Sequence, residues 1–255
     1  MKHYHTILIG ATALAYPIAV RLGGDCLTVE PGFSAGAEFS DAMRAEPVDT
    51  RALPPIAAAL AAELKGRGIL SEDGRLHILA VGGVLCGCWA KCGGTLLMGA
   101  RATEIVQTGD GFAVTVFHPQ TGFTTYSAAR VIDTTVRDFM DYQPTFGLLL
   151  ARDEWLTPFD DGDVYLQRGL FADEFVLRFR VPRGATIPEA QAIADRWLET
   201  HRERLGSAQA AGIALYMGQE FRLPVDMVRD GVRYLTSASH PDLMSAVKGG
   251  ELVCL

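Results

Sequence analysis

The sequence predicts a three-layer α/β domain with a smaller α+β domain inserted into it. A strand–helix–strand unit opens the chain, short alternating strands follow in the middle, and a strand–helix segment closes it. The predicted main domain comprises residues 1–137 and 224–255, and the predicted inserted domain comprises residues 138–223. With 255 residues, of which 49% are hydrophobic and 21% charged, the chain can bury a core of this size.

The opening unit has the layout of a nucleotide-binding turn. An apolar strand ends at Gly10, and a helix over residues 16–22 leads to a second strand over residues 26–30. A helix N-terminus after a tight turn offers unpaired N–H groups to an anion, and an acid at the end of the second strand accepts ribose hydroxyls. The spacing therefore predicts a dinucleotide site whose binding residues are Gly10, Thr12, Ala13 and Glu30.

The glycine pattern of this unit is incomplete. Where G-x-G-x-x-G is typical, the chain has Gly10, Thr12 and Ala15. Ala15 adds one methyl group where the helix packs on the strand. Thr12 replaces the glycine that lets the backbone approach a pyrophosphate, although its hydroxyl could bond a phosphate oxygen. A helix–strand unit without any ligand would look similar, so nucleotide binding and its absence both remain open.

Further elements follow from periodicity and turn residues. In the main domain we predict helices over 54–65 and 79–90, a strand, turn and strand over 95–105, meander strands over 102–108, 111–118 and 122–127, a separate strand over 129–135, and a strand over 234–239 leading into a helix from Pro241. In the inserted domain we predict strands over 163–167 and 174–181 and a helix over 188–205.

Several segments share the order and spacing of a known group of proteins. They are Ile7 to Thr12, Glu30, Gly36, Gly99 to Ile105, Val131 to Thr135, and Ser237 to Met244. Taken in order, they resemble the FAD-dependent oxidoreductases of the two-dinucleotide-binding-domain, glutathione-reductase-like flavoprotein superfamily. The resemblance covers nearly the whole chain. It implies a Rossmann-like FAD-binding domain with a β-meander and an inserted substrate domain.

The resemblance also implies a cofactor and an activity. The cofactor would be FAD, and the protein would oxidise a small organic or amino-acid-like substrate by hydride transfer to the flavin. Further cofactor contacts would come from Gly36, Ala102, Thr134, Thr135, Ser239, His240 and Pro241. The replaced glycines support an alternative, a non-catalytic relative that has lost FAD and acts as a binding or partner subunit.

Three side chains are candidate catalytic residues. His240 precedes a predicted helix start, where the helix dipole lowers its pKa, and it could bond the flavin or act as a base; a capping or packing role is the alternative. Glu38 could line the flavin site or be a solvated loop acid. Cys88 could meet the flavin or substrate, or be a buried structural cysteine.

No metal site is predicted. Three crowded cysteines, Cys86, Cys88 and Cys92, lie on one predicted helix, where their spacing suits tetrahedral zinc poorly. The acids at positions 160, 161 and 163 are not followed by the glutamate that ends a calcium loop.

Composition limits the classes of partner. A net charge of −7 and a pI near 5.4 argue against a nucleic-acid surface, and no apolar run is long enough to span a membrane. The N-terminal apolar stretch imitates a signal peptide but contains the first strand, so we expect a cytoplasmic protein. A small-molecule substrate is the expected partner, and homo- and hetero-oligomers both remain open. Tyr142, Trp155 and Tyr216 could line a substrate cavity or belong to the core.

Overall fold

A computed structural model describes residues 2–152 and 156–255, so Trp155 lies outside the described residues. The described helices are α1 (Ala15–Leu22), α2 (Pro55–Gly66), α3 (Ile78–Trp89), α4 (Ile187–Thr200), α5 (Arg202–Leu205) and α6 (Leu243–Glu251). The first sheet contains β1 (His3–Ile9), β2 (Cys26–Glu30), β3 (Thr95–Met98), β4 (Arg101–Thr108), β5 (Gly111–His118), β6 (Gly122–Asp133), β13 (Asp226–Arg229) and β14 (Val232–Leu235). The second contains β7 (Gln143–Ala151), β8 (Phe159–Asp160), β9 (Val164–Arg168), β10 (Glu174–Arg180), β11 (Gln209–Ile213) and β12 (Gly218–Glu220).

Five strands of the first sheet run parallel, in the order β14-β6-β1-β2-β3. Ile7 of β1 pairs with Leu27 of β2 on one side and with Val131 of β6 on the other. The carboxyl ends of β1, β2 and β6 therefore meet at one edge of the sheet. The last strand, β14, joins β6 at this edge, so the two ends of the chain are neighbours, as the sequence predicted.

The alternation of β1 separates two hydrophobic layers. Leu8 belongs to a core shared with α1, α2, α3 and α6, whereas Ile7 and Ile9 belong to a second core shared with the meander strands β4, β5 and β6. Successive side chains of a strand point to opposite faces, so helices cover one face of the parallel sheet and the meander covers the other. The predicted three-layer α/β fold is confirmed.

Two predicted strands are one in the structure. The sequence predicts separate strands over 122–127 and 129–135, but β6 is continuous from Gly122 to Asp133. Its first half pairs antiparallel with β5, and its second half pairs parallel with β1 from Ser127 onward. One strand thus serves both the meander and the parallel sheet. No turn residue interrupts it, because only the pairing partner changes.

Two predicted helix boundaries also differ. The helix predicted over 188–205 is interrupted at His201 and forms α4 and α5. The last helix begins at Leu243 rather than at Pro241, because the Asp242 side chain accepts a hydrogen bond from Ser245 N at 2.9 Å and caps it. Residues 237–239 form a short 3₁₀ turn instead of the end of a strand.

The second sheet lies within the predicted inserted segment. Its order is β11-β7-β10-β9-β8, and β12 pairs with the other end of β7. The pairing is antiparallel throughout, which matches an α+β unit. The division of the chain into two domains stays a prediction. Across the described ranges, no helix has the length and apolarity needed to cross a membrane.

Candidate functional site

A cleft of about 390 Å³ opens at the carboxyl edge of the parallel sheet. It is lined by Thr12, Glu30, Pro31, Gly32, Phe33, Ser34, Ala37, Glu38, Asp41, Arg101, Thr134, Thr135, Val136, Leu215, Tyr216, Gln219 and Ala238. The lining comes from the turn after β1, the segment after β2, the end of β6, and the second sheet. In open α/β sheets this edge is where ligands bind. A larger depression of about 640 Å³ lies along α4, α5 and β11 and shares no lining residue with this cleft.

Gly10 makes the turn from β1 into α1. Its φ is +95°, and a Cβ atom there would lie 2.7 Å from the Cγ2 atom of Thr135. Only glycine adopts this conformation without strain, and the space beside it is filled. The backbone N–H of Gly10 donates to the carbonyl of Val29 at 2.9 Å, which ties the turn to β2.

The hydroxyl of Thr12 is engaged by the protein itself. It donates to Thr134 Oγ1 at 2.8 Å and accepts from the N–H of Ala15 at 3.2 Å. The Thr134 hydroxyl in turn donates to the Ile9 carbonyl at 2.9 Å. Thr12 therefore supports the first turn of α1 and links it to the end of β6.

Glu30 ends β2 at the cleft, where the sequence placed it. Its carboxylate accepts hydrogen bonds from the N–H of Ala11 at 2.8 Å and of Gly32 at 2.6 Å. Burial raises the pKa of Glu30, these two bonds oppose the rise, and the charge of Asp41 adds to it. This carboxylate therefore serves two backbone donors of the protein itself as well as bordering the cleft.

Glu38 is buried, with 7% of its surface exposed, and is not the solvated loop acid of the alternative reading. Its Oε1 atom accepts from the N–H of Ala13 at 2.9 Å and from the Ser237 hydroxyl at 2.6 Å. Burial raises its pKa, the bonds from Ser237 and Ala13 oppose the rise, and the charge of Glu30 adds to it. A carboxyl group is thus held at the turn that leads into α1.

Every backbone donor from Ala13 to Tyr16 has an acceptor within the protein. Besides the Ala13 bond to Glu38, Leu14 N donates to Ser237 Oγ at 3.2 Å. Ala15 N and Tyr16 N donate to the hydroxyl and carbonyl oxygens of Thr12. These N–H groups are the ones that a helix N-terminus normally offers to a bound anion.

The end of β6 carries a second polar group at the cleft. The N–H and hydroxyl of Thr135 both donate to Asp133 Oδ1, at 2.9 and 2.7 Å. Asp133 is fully buried and pairs with Arg137 at 2.5 Å. The two predicted residues Thr134 and Thr135 therefore lie at the cleft and are held rigidly by neighbours of β6.

The second sheet contributes Tyr216 and Gln219 to the cleft. Enclosure at the cleft raises the pKa of Tyr216 to about 12, and the charges of Glu38 and Glu30 add to the rise. Gln219 is buried, and its Oε1 atom has no hydrogen-bond partner among the described residues. Tyr142, by contrast, packs against Phe221 and Arg183 outside the cleft.

Several predicted cofactor residues lie outside the lining of the cleft. Gly36 packs against Leu85 of α3 and donates its N–H to the Ala11 carbonyl at 2.9 Å. Ala102 packs in the core between sheet and meander, and its neighbour Arg101 lines the cleft instead. Ser239 donates to the Thr236 carbonyl at 2.6 Å, so its hydroxyl serves the 3₁₀ turn.

His240 and Pro241 were also predicted to contact the cofactor, but they make other contacts in the structure. Their carbonyl groups accept hydrogen bonds from the buried guanidinium of Arg44, at 2.9 and 3.2 Å. The His240 ring packs against the backbone at Gly249 of α6. Burial lowers the pKa of His240, while Asp242 raises it and Arg44 lowers it. The packing alternative therefore describes His240, and its flavin-contacting alternative has no support in the geometry.

Cys88 lies in a different place. It lines a small depression between α1, α2 and α3 with Tyr16 and Cys92, and none of the three borders the cleft. Burial raises the pKa of the Cys88 thiol, which keeps it in the weakly nucleophilic protonated form. The structural alternative therefore describes this cysteine. Within the described ranges, no cluster of three histidine, cysteine or acidic side chains could hold a metal ion.

Sequence reasoning missed Arg101 and Gln219, which line the cleft, and Arg44, which binds the backbone at Ala238 beside it. Arg101 was one residue from a predicted contact, and its position at the start of a strand is the signal that could have found it. Arg44 carries no local signal, because its acceptors lie almost 200 residues further along the chain. Gln219 lies in the segment that carries no recognisable motif.

Two solved structures share this fold. Glycine oxidase from Geobacillus kaustophilus superimposes with a TM-score of 0.66 at 12% identity, over 99% of this chain and 94% of that one. The myxobacterial chondrochloren halogenase CndH, a variant of FAD-dependent halogenases, gives 0.62 at 13%, over 93% and 69%. This chain has the Rossmann-like fold of these proteins.

A third structure shows the same fold in a longer chain. BexE, studied for oxidation during BE-7585A biosynthesis, gives a TM-score of 0.59 at 15% identity, over 94% of this chain. This chain spans only 59% of the length of BexE. No protein-family model and no curated protein sequence matches the chain.

Proposed function

We propose that this protein is an FAD-dependent oxidoreductase that oxidises a small organic or amino-acid-like substrate. The observation that carries the proposal is the position of Glu30, which ends β2 beside the Gly10 turn and borders the cleft. A carboxylate at this point of a βαβ unit is suited to the two hydroxyl groups of an adenosine ribose. The fold shared with a glycine oxidase and an FAD-dependent halogenase supports the same reading.

The adenosine end of the cleft fits such a cofactor. The Glu30 carboxylate has four lone-pair sites and uses two of them for Ala11 and Gly32, so it can still accept ribose hydroxyls. Arg101 and Phe33 stand at the same end and offer a cation and an exposed ring. These groups would position the adenosine part.

Tyr216 and Gln219 offer substrate contacts in the same cleft. A bound flavin supplies the acceptor for a hydride from a C–H bond beside nitrogen or oxygen. Gln219 lines the cleft, and its amide oxygen, which has no partner among the described residues, would accept a hydrogen bond from an amine or hydroxyl of the substrate. The Tyr216 hydroxyl, whose raised pKa keeps it protonated, would donate one. This pair supports a polar substrate with both donor and acceptor groups.

A second candidate function has its own support. The carboxylates of Glu30 and Glu38 already accept from Ala11 and Ala13, two backbone donors in the turn that a pyrophosphate would use. A non-catalytic relative that has lost FAD would be expected to satisfy these donors internally. The two candidates differ in whether any form of the chain binds FAD.

Titration with FAD, followed by flavin fluorescence, tests the proposal. We expect saturable binding by the wild-type protein and a loss of about tenfold to a thousandfold in Glu30→Ala, since each lost charge-assisted bond contributes roughly 1.5–3 kcal/mol before water replaces part of it. Glu72→Gln, at an exposed surface carboxylate, is the control and should bind as the wild type does. Equal affinity in Glu30→Ala would mean that the dinucleotide is assigned to the wrong place.

A further inference from the structure

We propose that Glu38 is an internal anion that occupies the diphosphate position of the cleft, so that a dinucleotide binds only when this carboxylate withdraws or is neutralised. The identity of the dinucleotide as FAD rests on the proposed function. The claim that Glu38 occupies the diphosphate position does not rest on the proposed function, because it follows from the contacts of this chain alone.

The Glu38 carboxylate lies at the turn that leads into α1. Glu38 accepts from Ala13 N at 2.9 Å and reaches it from a segment twenty-five residues further along the chain. The partially positive N-terminal end of α1 attracts a negative group at this turn. Glu38 supplies that negative group from within the protein and is buried there.

Ser237 holds the Glu38 carboxylate in this position. The Ser237 hydroxyl donates to the same Oε1 atom at 2.6 Å and also accepts from Leu14 N at 3.2 Å. Ser237 is fully buried in the 3₁₀ turn that follows β14. The carboxylate, the α1 turn and the last segment of the first sheet therefore form one hydrogen-bonded unit. An incoming phosphate would need the same donors.

The negative charges of Glu38 and Glu30 oppose the binding of a diphosphate at this place. Glu38 and Glu30 both border the cleft, and the negative charges of both raise the pKa of Tyr216. The charge of Glu30 also raises the pKa of Glu38. Arg44, the cation in the same segment, donates hydrogen bonds to the carbonyl groups of Ala238 and His240 and not to Glu38. A diphosphate at this place would bring further negative charge beside two carboxylates, and like charges repel more strongly where water is excluded.

The test compares binding of two probes, FAD and ADP, to the wild type, Glu38→Gln and the surface control Glu72→Gln. Glutamine keeps the shape and an acceptor oxygen but removes the charge. We expect Glu38→Gln to bind both probes at least tenfold more tightly than the wild type, and the control to be unchanged. Circular dichroism and thermal unfolding of each variant verify that it is folded.

The outcomes separate this inference from the proposed function. Tighter binding of ADP but no binding of FAD by Glu38→Gln would support the role of Glu38 and refute the flavin assignment. Equal or weaker binding of both probes by Glu38→Gln would refute the role of Glu38, and any FAD binding by the wild type would leave the flavin assignment standing. If neither protein binds either probe, both ideas fail.

A measurement on the wild type needs no variant. The titratable groups that face Glu38 are Glu30 at the end of β2 and Tyr216 from the second sheet, with Asp41 beside Glu30. Protonation of Glu38 removes its charge, so the ADP affinity of the wild type should rise as the pH falls through the raised pKa of this carboxyl. In Glu38→Gln this rise should be smaller. A flat profile in the wild type would contradict the inference even if the variant could not be purified.

Discussion

The Glu38 carboxylate accepts a hydrogen bond from the backbone N–H of Ala13 at 2.9 Å, at the turn between β1 and α1. This hydrogen bond joins the turn at Gly10, whose glycine motif is incomplete, to an acid in a loop that carries no recognisable motif. It explains how the chain can keep a nucleotide-binding layout while satisfying that layout's donors without a ligand. It also buries a carboxyl group whose charge affects the stability of the fold.

Replacing Glu38 by glutamine should stabilise the free protein at neutral and alkaline pH. Its folded pKa is raised above the ordinary 4.5, so the stability it confers is complete below pH 4.5 and is lost as pH rises through the folded value. A gain of about 1 kcal/mol would appear as roughly 2–4 °C in Tm at pH 8 and should shrink at pH 4.5. Differential scanning fluorimetry at both pH values checks this. A variant with lower Tm at pH 8 would show that the charge is compensated.

Replacing Glu30 by alanine should destabilise the protein even without ligand. The N–H groups of Ala11 and Gly32 would lose their acceptor, at a cost of about 1–3 kcal/mol. Glu30→Gln retains an acceptor oxygen and should lose less. Urea unfolding followed by circular dichroism measures both. Unchanged stability in Glu30→Ala would show that the two backbone donors do not need this carboxylate.

Gly36→Ala should be among the more damaging small substitutions. The φ of Gly36 is +71°, and a Cβ atom would lie 2.4 Å from Leu85 Cδ1. We expect a loss of about 1–3 kcal/mol, from backbone strain and from repacking of α3. Gly83→Ala on α3 is the matched control, since its Cβ would meet no atom within 4 Å and alanine favours a helix. Comparable urea midpoints for the two variants would contradict the prediction.

Protonation of His240 should destabilise the fold. Burial lowers its pKa below the ordinary 6.5, Arg44 lowers it further and Asp242 opposes them, so the unfolded chain binds the proton first. This contribution to stability is present above pH 6.5 and is lost as pH falls below it. His240→Asn should flatten the stability profile between pH 7 and pH 5. NMR titration of the His240 ring supplies the pKa directly, and a value above 6.5 would overturn the argument.

The fold could be predicted because its signals are local. Gly10, the acid at Glu30 and the alternation of Phe112, Val114 and Val116 each reflect a constraint imposed by neighbouring residues, namely a left-handed turn, a strand end and a half-buried strand. The continuity of β6 could not be predicted in this way, because a strand that changes its partner from β5 to β1 shows no break in its own sequence.

The site was predicted only in part, for a related reason. Thr12, Glu30, Thr134 and Thr135 line the cleft, since parallel strands bring their carboxyl ends together. Gly10 and Ala13 do not line it but contact residues that do, Thr135 and Glu38. Cys88 and His240 lie elsewhere, because helix spacing specifies which face a side chain occupies but not what that face packs against.

The sequence by itself determined the βαβ unit, the meander and the edge at which a ligand site would form, through periodicity and turn chemistry that act over a few residues. Only the tertiary structure decided what fills that edge. The partners of Glu38 are Ala13, 25 residues away, and Ser237, 199 residues away. Contacts between such distant segments depend on how the layers pack, and no local pattern encodes them.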